Sequence, residues 1–161
     1  MKPQLRIVAI PTSVAEEVRA TMRAPGYGHP AYTEVAAGHG PCRHCLQDFR
    51  IGEERRILFT YDPFRDLGLP SLPGPVFIHE APCNRHPEDG NFPEGLRGRE
   101  LTLATYGPAR RLLNEEHIKD GNVETAIEQL FDRPDVEYIH VRDTEAGCYD
   151  FRIERREEKE P

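Results

Sequence analysis

Residues 136–156, VEYIHVRDTEAGCYDFRIERR, carry the pattern that most restricts how this chain can fold. Apolar and polar side chains alternate on both sides of an EAG turn at residues 145–147, as they do in two strands that bury one face. Gly147 supplies the left-handed position of a three-residue loop. The register that brings the apolar side chains together pairs Ile139 with Ile153 and Val141 with Phe151. The segment therefore predicts an antiparallel hairpin.

The opposite face of this predicted hairpin is polar. The same register sets His140 opposite Arg152 and Arg142 opposite Asp150. An arginine directly across from an aspartate stabilises a sheet by roughly 0.2 to 1 kcal/mol, so the second pair needs no functional explanation. His140 and Arg142 still enter the search for a site because cysteines and an arginine elsewhere in the chain can join them.

Helices and further strands complete the expected fold. Ser13 with Glu16 three residues later has the form of a capping box, which predicts a helix over residues 14–23. Asn122 followed by VETAIEQLF predicts a second helix over about nine residues. Apolar, β-favouring runs predict strands at residues 5–10, 56–61, 76–80 and 100–107. Residues 109–120 are expected to form a solvated helical or loop surface.

These elements indicate an α+β domain with a mainly antiparallel sheet, about two helices packed on it, and long irregular loops. The longest irregular stretch, residues 24–41, contains four glycines and three prolines. With 161 residues the chain has the size of one compact unit. We expect a single domain over residues 1–155 and a charged tail over residues 156–161.

Composition excludes several classes of partner. A net charge of −7 argues against broad nucleic-acid binding, which needs clustered Lys and Arg. No apolar run approaches the roughly 20 residues of a membrane span, and the first apolar stretch is short for a signal peptide. We therefore expect a cytoplasmic protein without membrane contact. In that compartment the four cysteines stay reduced and serve as packing residues, metal ligands or reactive thiols.

The cysteines suggest a metal site in two ways. Cys42-x-x-Cys45 and Cys83-x-x-His86 form a Cys3His set with the spacing at which two side chains of one turn share a zinc ion. Neither pair is followed by the glycine that often follows such a turn. A second set draws on distant segments, and its members are Cys42, His79, Cys83, His140 and Cys148.

Other interpretations of the same residues stay open. The four cysteines can be small, partly buried apolar side chains in a binding module without catalysis. Cys42 and Cys45 can instead form a redox dithiol, with His44 or Arg43 lowering a thiol pKa. A guanidinium fork suits a carboxylate or phosphate, so Arg43, Arg142 and His140 are candidate ligands for a small anionic molecule.

Three sequence segments in order resemble a known bacterial family, the domain of unknown function 1203. The first is PCRHCL with a following GEE and ILFTYDPF, the second is GPVFIHEAPC, and the third is YIHVRDTEAGCYDFRI. The resemblance runs from about residue 41 to residue 153 and implies a small domain without a stated activity. It places the centre of the family pattern at Cys42, Arg43, His79, Cys83, His140, Arg142 and Cys148. It thus favours the distant set over the set with Cys45 and His86.

The leading hypothesis is a cleft where the PCRHC loop meets the end of the VFIH strand and the C-terminal hairpin. Its predicted metal ligands are Cys42, His79, Cys83 and Cys148, with zinc as the metal. Its predicted anion-binding residues are Arg43, His140 and Arg142. If the cleft is catalytic, metal-assisted hydrolysis is expected, with His79 or His140 moving the proton.

Overall fold

The computed structural model of the protein describes residues 5–38, 40–65, 73–119 and 121–156. Two α-helices and two antiparallel sheets make up its regular structure, which confirms the predicted α+β class. The helices are α1 (Thr12–Thr21) and α2 (Val123–Phe131). The strands are β1 (Leu5–Val8), β2 (Tyr32–Val35), β3 (Arg55–Tyr61), β4 (Gly74–His79), β5 (Leu101–Gly107), β6 (Arg111–Ile118), β7 (Tyr138–Asp143) and β8 (Tyr149–Arg155). Neither helix is long and apolar enough to cross a membrane.

The larger sheet has five strands in the order β1-β8-β7-β5-β6, and α2 covers it. The apolar stripe of α2, from Val123 to Phe131, packs in one cluster with Leu103, Ile139 and Phe151 of the sheet. A helix whose apolar residues recur every three or four positions buries them all on one face. This amphipathic pattern explains why the sequence predicts α2 well.

The C-terminal hairpin is β7 with β8. Its predicted register is confirmed over the apolar face and at His140, which lies opposite Arg152. The prediction that Arg142 faces Asp150 is wrong, because a bulge after Val141 sets Arg142 opposite Tyr149. A bulge leaves one extra residue on one strand without a cross-strand partner, and here that residue is Asp150.

The smaller sheet has the order β2-β3-β4, and α1 packs against it. Val14, Ala15 and Val18 of α1 share a core cluster with Ile57 of β3 and Ile78 of β4. The predicted capping box is wrong. Pro11 occupies the N-cap position, no side chain caps the helix, and Ser13 lies inside the first turn.

Two further expectations are corrected or completed by the structure. Residues 111–118 form β6, an edge strand paired with β5 along its length, and not a helical or loop surface. The long segment at residues 24–41 contains β2, whose four residues are all exposed. Of the predicted tail at residues 156–161, all but Arg156 lies outside the described residues.

Candidate metal centre

Four side chains converge beside the smaller sheet. They are Cys42, Cys45, His79 and Cys83, and one ligand atom from each lies within 4.8 Å of the others. The Sγ atoms of Cys42 and Cys83 are 3.8 Å apart. The Sγ atom of Cys45 lies 3.4 Å from Nδ1 of His79. The group can hold a metal ion, and we call it the Cys3His centre.

A tight loop positions the first two sulfurs. The amide of Cys42 donates to the carbonyl of Gln47 at 2.9 Å, and the amide of Leu46 donates back to the carbonyl of Cys42 at 2.8 Å. Leu46 has a φ of 60°, which is the left-handed conformation that glycine adopts most easily. Its side chain is buried in the core against α2 and the larger sheet, which offsets the backbone strain.

His79 is the last residue of β4, so the sheet fixes its position. Its Nδ1 faces the sulfurs while its Nε2 lies 3.1 Å from a carboxylate oxygen of Glu54. The backbone N–H of His79 also donates to Sγ of Cys42 at 3.3 Å. A metal-binding histidine typically donates its second ring N–H to a carboxylate, which fixes the tautomer and raises the basicity of the ligating nitrogen. The carboxylate of Glu54 is placed to accept this hydrogen bond from His79.

Polar groups outside the four ligands contact Cys83. Nδ1 of His44 lies 3.2 Å from Sγ of Cys83, and Nε2 of His44 lies 2.9 Å from the hydroxyl of Thr12. If Cys83 is a thiolate, Nδ1 is the donor, and in the neutral ring Nε2 then accepts from the threonine hydroxyl. Arg19 of α1 donates to the same sulfur at 3.4 Å and to the carbonyl of His79 at 3.1 Å. These donors favour negative charge on the sulfur.

The electrostatics of the cluster follow from its crowding. Hydrogen bonds from Cys42 and Cys45 hold the pKa of Cys83 far below its usual range. Hydrogen bonds with Cys42 and Cys83, together with burial, raise the pKa of Cys45. Hydrogen bonds to the same two sulfurs raise the pKa of His79 to about 10. Negative charge thus collects on one sulfur, because neighbouring thiolates repel one another until a cation neutralises them.

A pocket of about 430 Å³ borders the centre. Cys45, His79 and Cys83 line it, together with Ala81, Pro82 and the polar residues Gln47, Asp48, Arg50, Glu54 and Asn84. Cys83 is half-buried, whereas Cys42, Cys45 and His79 are buried. The pocket therefore gives small molecules a path to the Cys83 side of the centre.

The structure brings three of the four predicted metal ligands together. Cys42, His79 and Cys83 come together as the distant set requires, and Cys45 joins them. Cys148 is not a member of the group, because it lies at the turn of the C-terminal hairpin and lines a different pocket. Three members of the spacing-based set, Cys42, Cys45 and Cys83, also come together. Its fourth member, His86, is not in the group, and its Nε2 lies 2.9 Å from the carbonyl of Asn91.

Two of the three predicted anion-binding residues are buried. Arg43 is 3% exposed and its guanidinium contacts the carbonyls of Pro41 and Tyr149 and the carboxylate of Asp150. His140 is fully buried among aromatic rings. Arg142 lines a pocket that it shares with Cys148. None of the three residues lines the pocket at the Cys3His centre.

Sequence reasoning missed most of the residues around the four ligands. Glu54 and Arg19 lie 25 and 60 positions from His79, and no local pattern links either to it. His44 was visible as a neighbour of two cysteines, although its actual partner is Cys83. Such groups are recognised only when the fold brings them to the ligands.

Comparison with known proteins places the chain in a family. A search of curated proteins and a search of solved structures each returned no match. The family model described as protein of unknown function, DUF1203, matches residues 39–155 and so includes all four members of the Cys3His centre. Because the match covers most of the 161 residues, this chain belongs to the DUF1203 family.

Proposed function

We propose that this protein is a zinc-binding domain in which the Cys3His centre holds a structural Zn²⁺ ion. The observation that carries the proposal is the spacing of the ligand atoms. Tetrahedral zinc with Zn–S bonds of about 2.3 Å separates two sulfurs by about 3.8 Å. Cys42 and Cys83 have that separation.

The donor atoms favour zinc over other common cations. Three thiolates and one imidazole are soft or intermediate ligands, which disfavours Mg²⁺ and Ca²⁺. Three thiolates and one Zn²⁺ leave a net charge of −1. The guanidinium of Arg19, 3.4 Å from Cys83, balances that charge next to the sulfur that carries most of it.

Four protein ligands favour a structural role. A hydrolytic zinc ion keeps one position for water, and a complete Cys3His set fills all four. The ligands come from the loop before β3, from the end of β4 and from the irregular segment after β4. An ion bound there ties two segments without regular structure to the smaller sheet. The reduced thiols that this role needs fit the predicted cytoplasmic location.

Metal analysis of purified protein tests the proposal. Protein prepared under reducing conditions without added metal should contain one zinc ion per chain by mass spectrometry of its metals. Cys42→Ser and Cys83→Ser should lose most of it. Cys148→Ser is the matched control, because it removes a half-buried cysteine outside the centre, and it should keep the ion.

A histidine pair provides a second comparison that leaves every thiol in place. His79→Gln should weaken zinc binding and His86→Gln should not, since only His79 faces the sulfurs. Cobalt added to metal-free protein should give the visible absorption of a tetrahedral thiolate site. Less than about one-tenth equivalent of any transition metal, with no uptake of added zinc, would refute the proposal.

The thiol-redox alternative makes a different prediction. It requires a reversible disulfide between Cys42 and Cys45 in the working protein. Bound zinc holds both sulfurs as thiolates and protects them from mild oxidation. Zinc-loaded protein that forms this disulfide readily while keeping its fold would favour the redox alternative.

A further inference from the structure

We propose that a second pocket, at the turn of the C-terminal hairpin, binds a small monocarboxylate through Arg142. This site shares no lining residue with the pocket at the Cys3His centre, so it does not depend on the zinc proposal. The ligand class follows from two properties of the pocket. Its one guanidinium has hydrogen-bond donors left for a ligand, and the side chains around it are mostly apolar.

The pocket lies between the two sheets. Its volume is about 290 Å³, near the lower end of the roughly 300 to 1,000 Å³ typical of small-molecule sites. It is lined by the end of β3, the start of β4 and the turn between β7 and β8. Its lining residues include Tyr61, Pro75, Arg142, Gly147, Cys148 and Tyr149.

Arg142 is the only charged residue among the described residues that line this pocket. It is half-buried, and within the described ranges it makes no ion pair and one long hydrogen bond, 3.5 Å to the carbonyl of Gly147. The nearest aspartates on the hairpin are already occupied. Asp143 accepts from two backbone amides of the turn, and Asp150 contacts buried Arg43. The guanidinium therefore has donors left for a carboxylate, which it can bind with two parallel hydrogen bonds.

The remaining walls are apolar and rigid. The rings of Tyr61 and Tyr149 stack at an angle of 30° with centroids 6.2 Å apart, and prolines at positions 63, 73 and 75 border the pocket. Aromatic rings and prolines lose little conformational freedom when a ligand packs on them. A hydrocarbon or aromatic body fits this lining better than a polar one does.

The charge of the site favours a carboxylate over a phosphate. A phosphate dianion is bound most strongly where several cations or a helix N-terminus face it. Arg142 provides one positive charge, which matches one carboxylate. Benzoate, a flat monocarboxylate, is therefore the probe, with neutral benzamide and inorganic phosphate as comparisons.

Amide chemical shifts measured during titration test the assignment. Benzoate should give saturable shifts at Arg142, Gly147 and Tyr149, and benzamide and phosphate should bind at least about tenfold more weakly. Arg142→Gln should weaken benzoate binding by a similar factor. Arg133→Gln, which removes an exposed arginine paired with Asp135, should leave binding unchanged.

Alkylation of Cys148 supplies a second readout that needs no variant. The thiol is half-buried in the pocket, so bound benzoate should slow its reaction with iodoacetamide. Negatively charged iodoacetate should react faster than iodoacetamide at Cys148, relative to their rates with a free cysteine peptide, because Arg142 attracts the anion. Peptide mass spectrometry separates Cys148 from the other cysteines.

The outcomes decide the proposal. Absence of saturable benzoate shifts, or equal benzoate binding by Arg142→Gln, would overturn it. Equal or stronger binding of phosphate would overturn the carboxylate assignment. If Arg142→Gln does not fold, unprotected alkylation of Cys148 at saturating benzoate would refute the site in the unchanged protein.

Discussion

His140 should make the protein lose stability in acid. Its ring is fully buried, and neither ring nitrogen has a hydrogen-bond partner among the residues that the structure describes. Burial, with smaller contributions from Arg142 and Arg152, lowers the pKa of His140 to about 2. The aromatic rings packed around it belong to Phe64, Tyr106, Tyr138 and Tyr149, at centroid distances of 4.7 to 5.2 Å. None of these groups carries a charge that would stabilise an imidazolium.

The sign and size of the effect follow from the two pKa values. In the unfolded chain His140 has an ordinary pKa near 6.5. Below that pH the unfolded state binds a proton at His140, whereas the folded state does not. The free energy of unfolding then falls by about 1.4 kcal/mol per pH unit. Between pH 7.5 and pH 4.5 the loss is about 2.7 kcal/mol, a large part of the roughly 5 to 15 kcal/mol that a domain has.

A second buried group opposes this loss. Burial raises the pKa of Asp150 to about 6, although the guanidinium of Arg43 lowers it in part. A carboxyl with a raised folded pKa stabilises the protein below its unfolded pKa, and this contribution disappears as the pH rises through 6. At pH 4.5 it offsets about 2 kcal/mol of the loss at His140. The pH profile of the unchanged protein alone therefore hides the effect.

The assay compares the unchanged protein with His140→Leu. Urea unfolding of both at pH 7.5 and pH 4.5 gives four free energies, and contributions shared by both proteins, Asp150 and the metal ligands included, cancel in the double difference. The variant should be at least as stable at pH 7.5, because two unsatisfied nitrogens are removed. The difference in the free energy of unfolding between the variant and the unchanged protein should be about 2.7 kcal/mol larger, in favour of the variant, at pH 4.5 than at pH 7.5. Equal pH dependence of the two proteins, within about 0.5 kcal/mol, would refute the reasoning.

Two further predictions concern residues around the centre. Glu54→Gln should weaken zinc binding by about 10- to 100-fold, because His79 loses the carboxylate that orients it, whereas exposed Glu53→Gln should not. Competition with a zinc-binding dye measures both, and equal affinities would contradict the role of Glu54. Arg43→Met should destabilise the protein by about 3 to 5 kcal/mol at pH 7.5, since it leaves Asp150 buried without its cation. Adding Asp150→Leu should recover part of that loss in urea unfolding, and no recovery would argue against the ion pair.

Much of the fold was predictable because its signals are local. The alternation of β7 and β8 predicted their register, including His140 opposite Arg152. The bulge was not predictable, because Asp150 turns inward to reach Arg43, 107 positions away. β6 was missed for a related reason. It is an edge strand with most side chains exposed, so its sequence does not alternate between apolar and polar residues.

The sequence predicted which residue types form the candidate site better than it predicted which four residues they are. The sequence identified Cys42, His79 and Cys83, and the structure brings all three together. The C-x-x-C spacing favoured Cys45 and the family resemblance favoured Cys148, and the fold decides between them because only Cys45 lies beside His79 at the end of β4. Leu46 shows the same limit, since a buried leucine adopts the left-handed conformation for which such turns often have a glycine.

The order in which the four ligands join a metal has a consequence for folding. If the centre binds zinc as proposed, Cys42 and Cys45, which are close in sequence, give the unfolded chain a two-thiol site that can capture the ion. Recruiting Cys83 then closes a loop spanning 41 positions. A cross-link of that length removes about 4 kcal/mol of chain entropy from the unfolded state. Zinc supply would then set how fast newly made chains mature, and metal-starved cells should accumulate a slowly folding, protease-sensitive form.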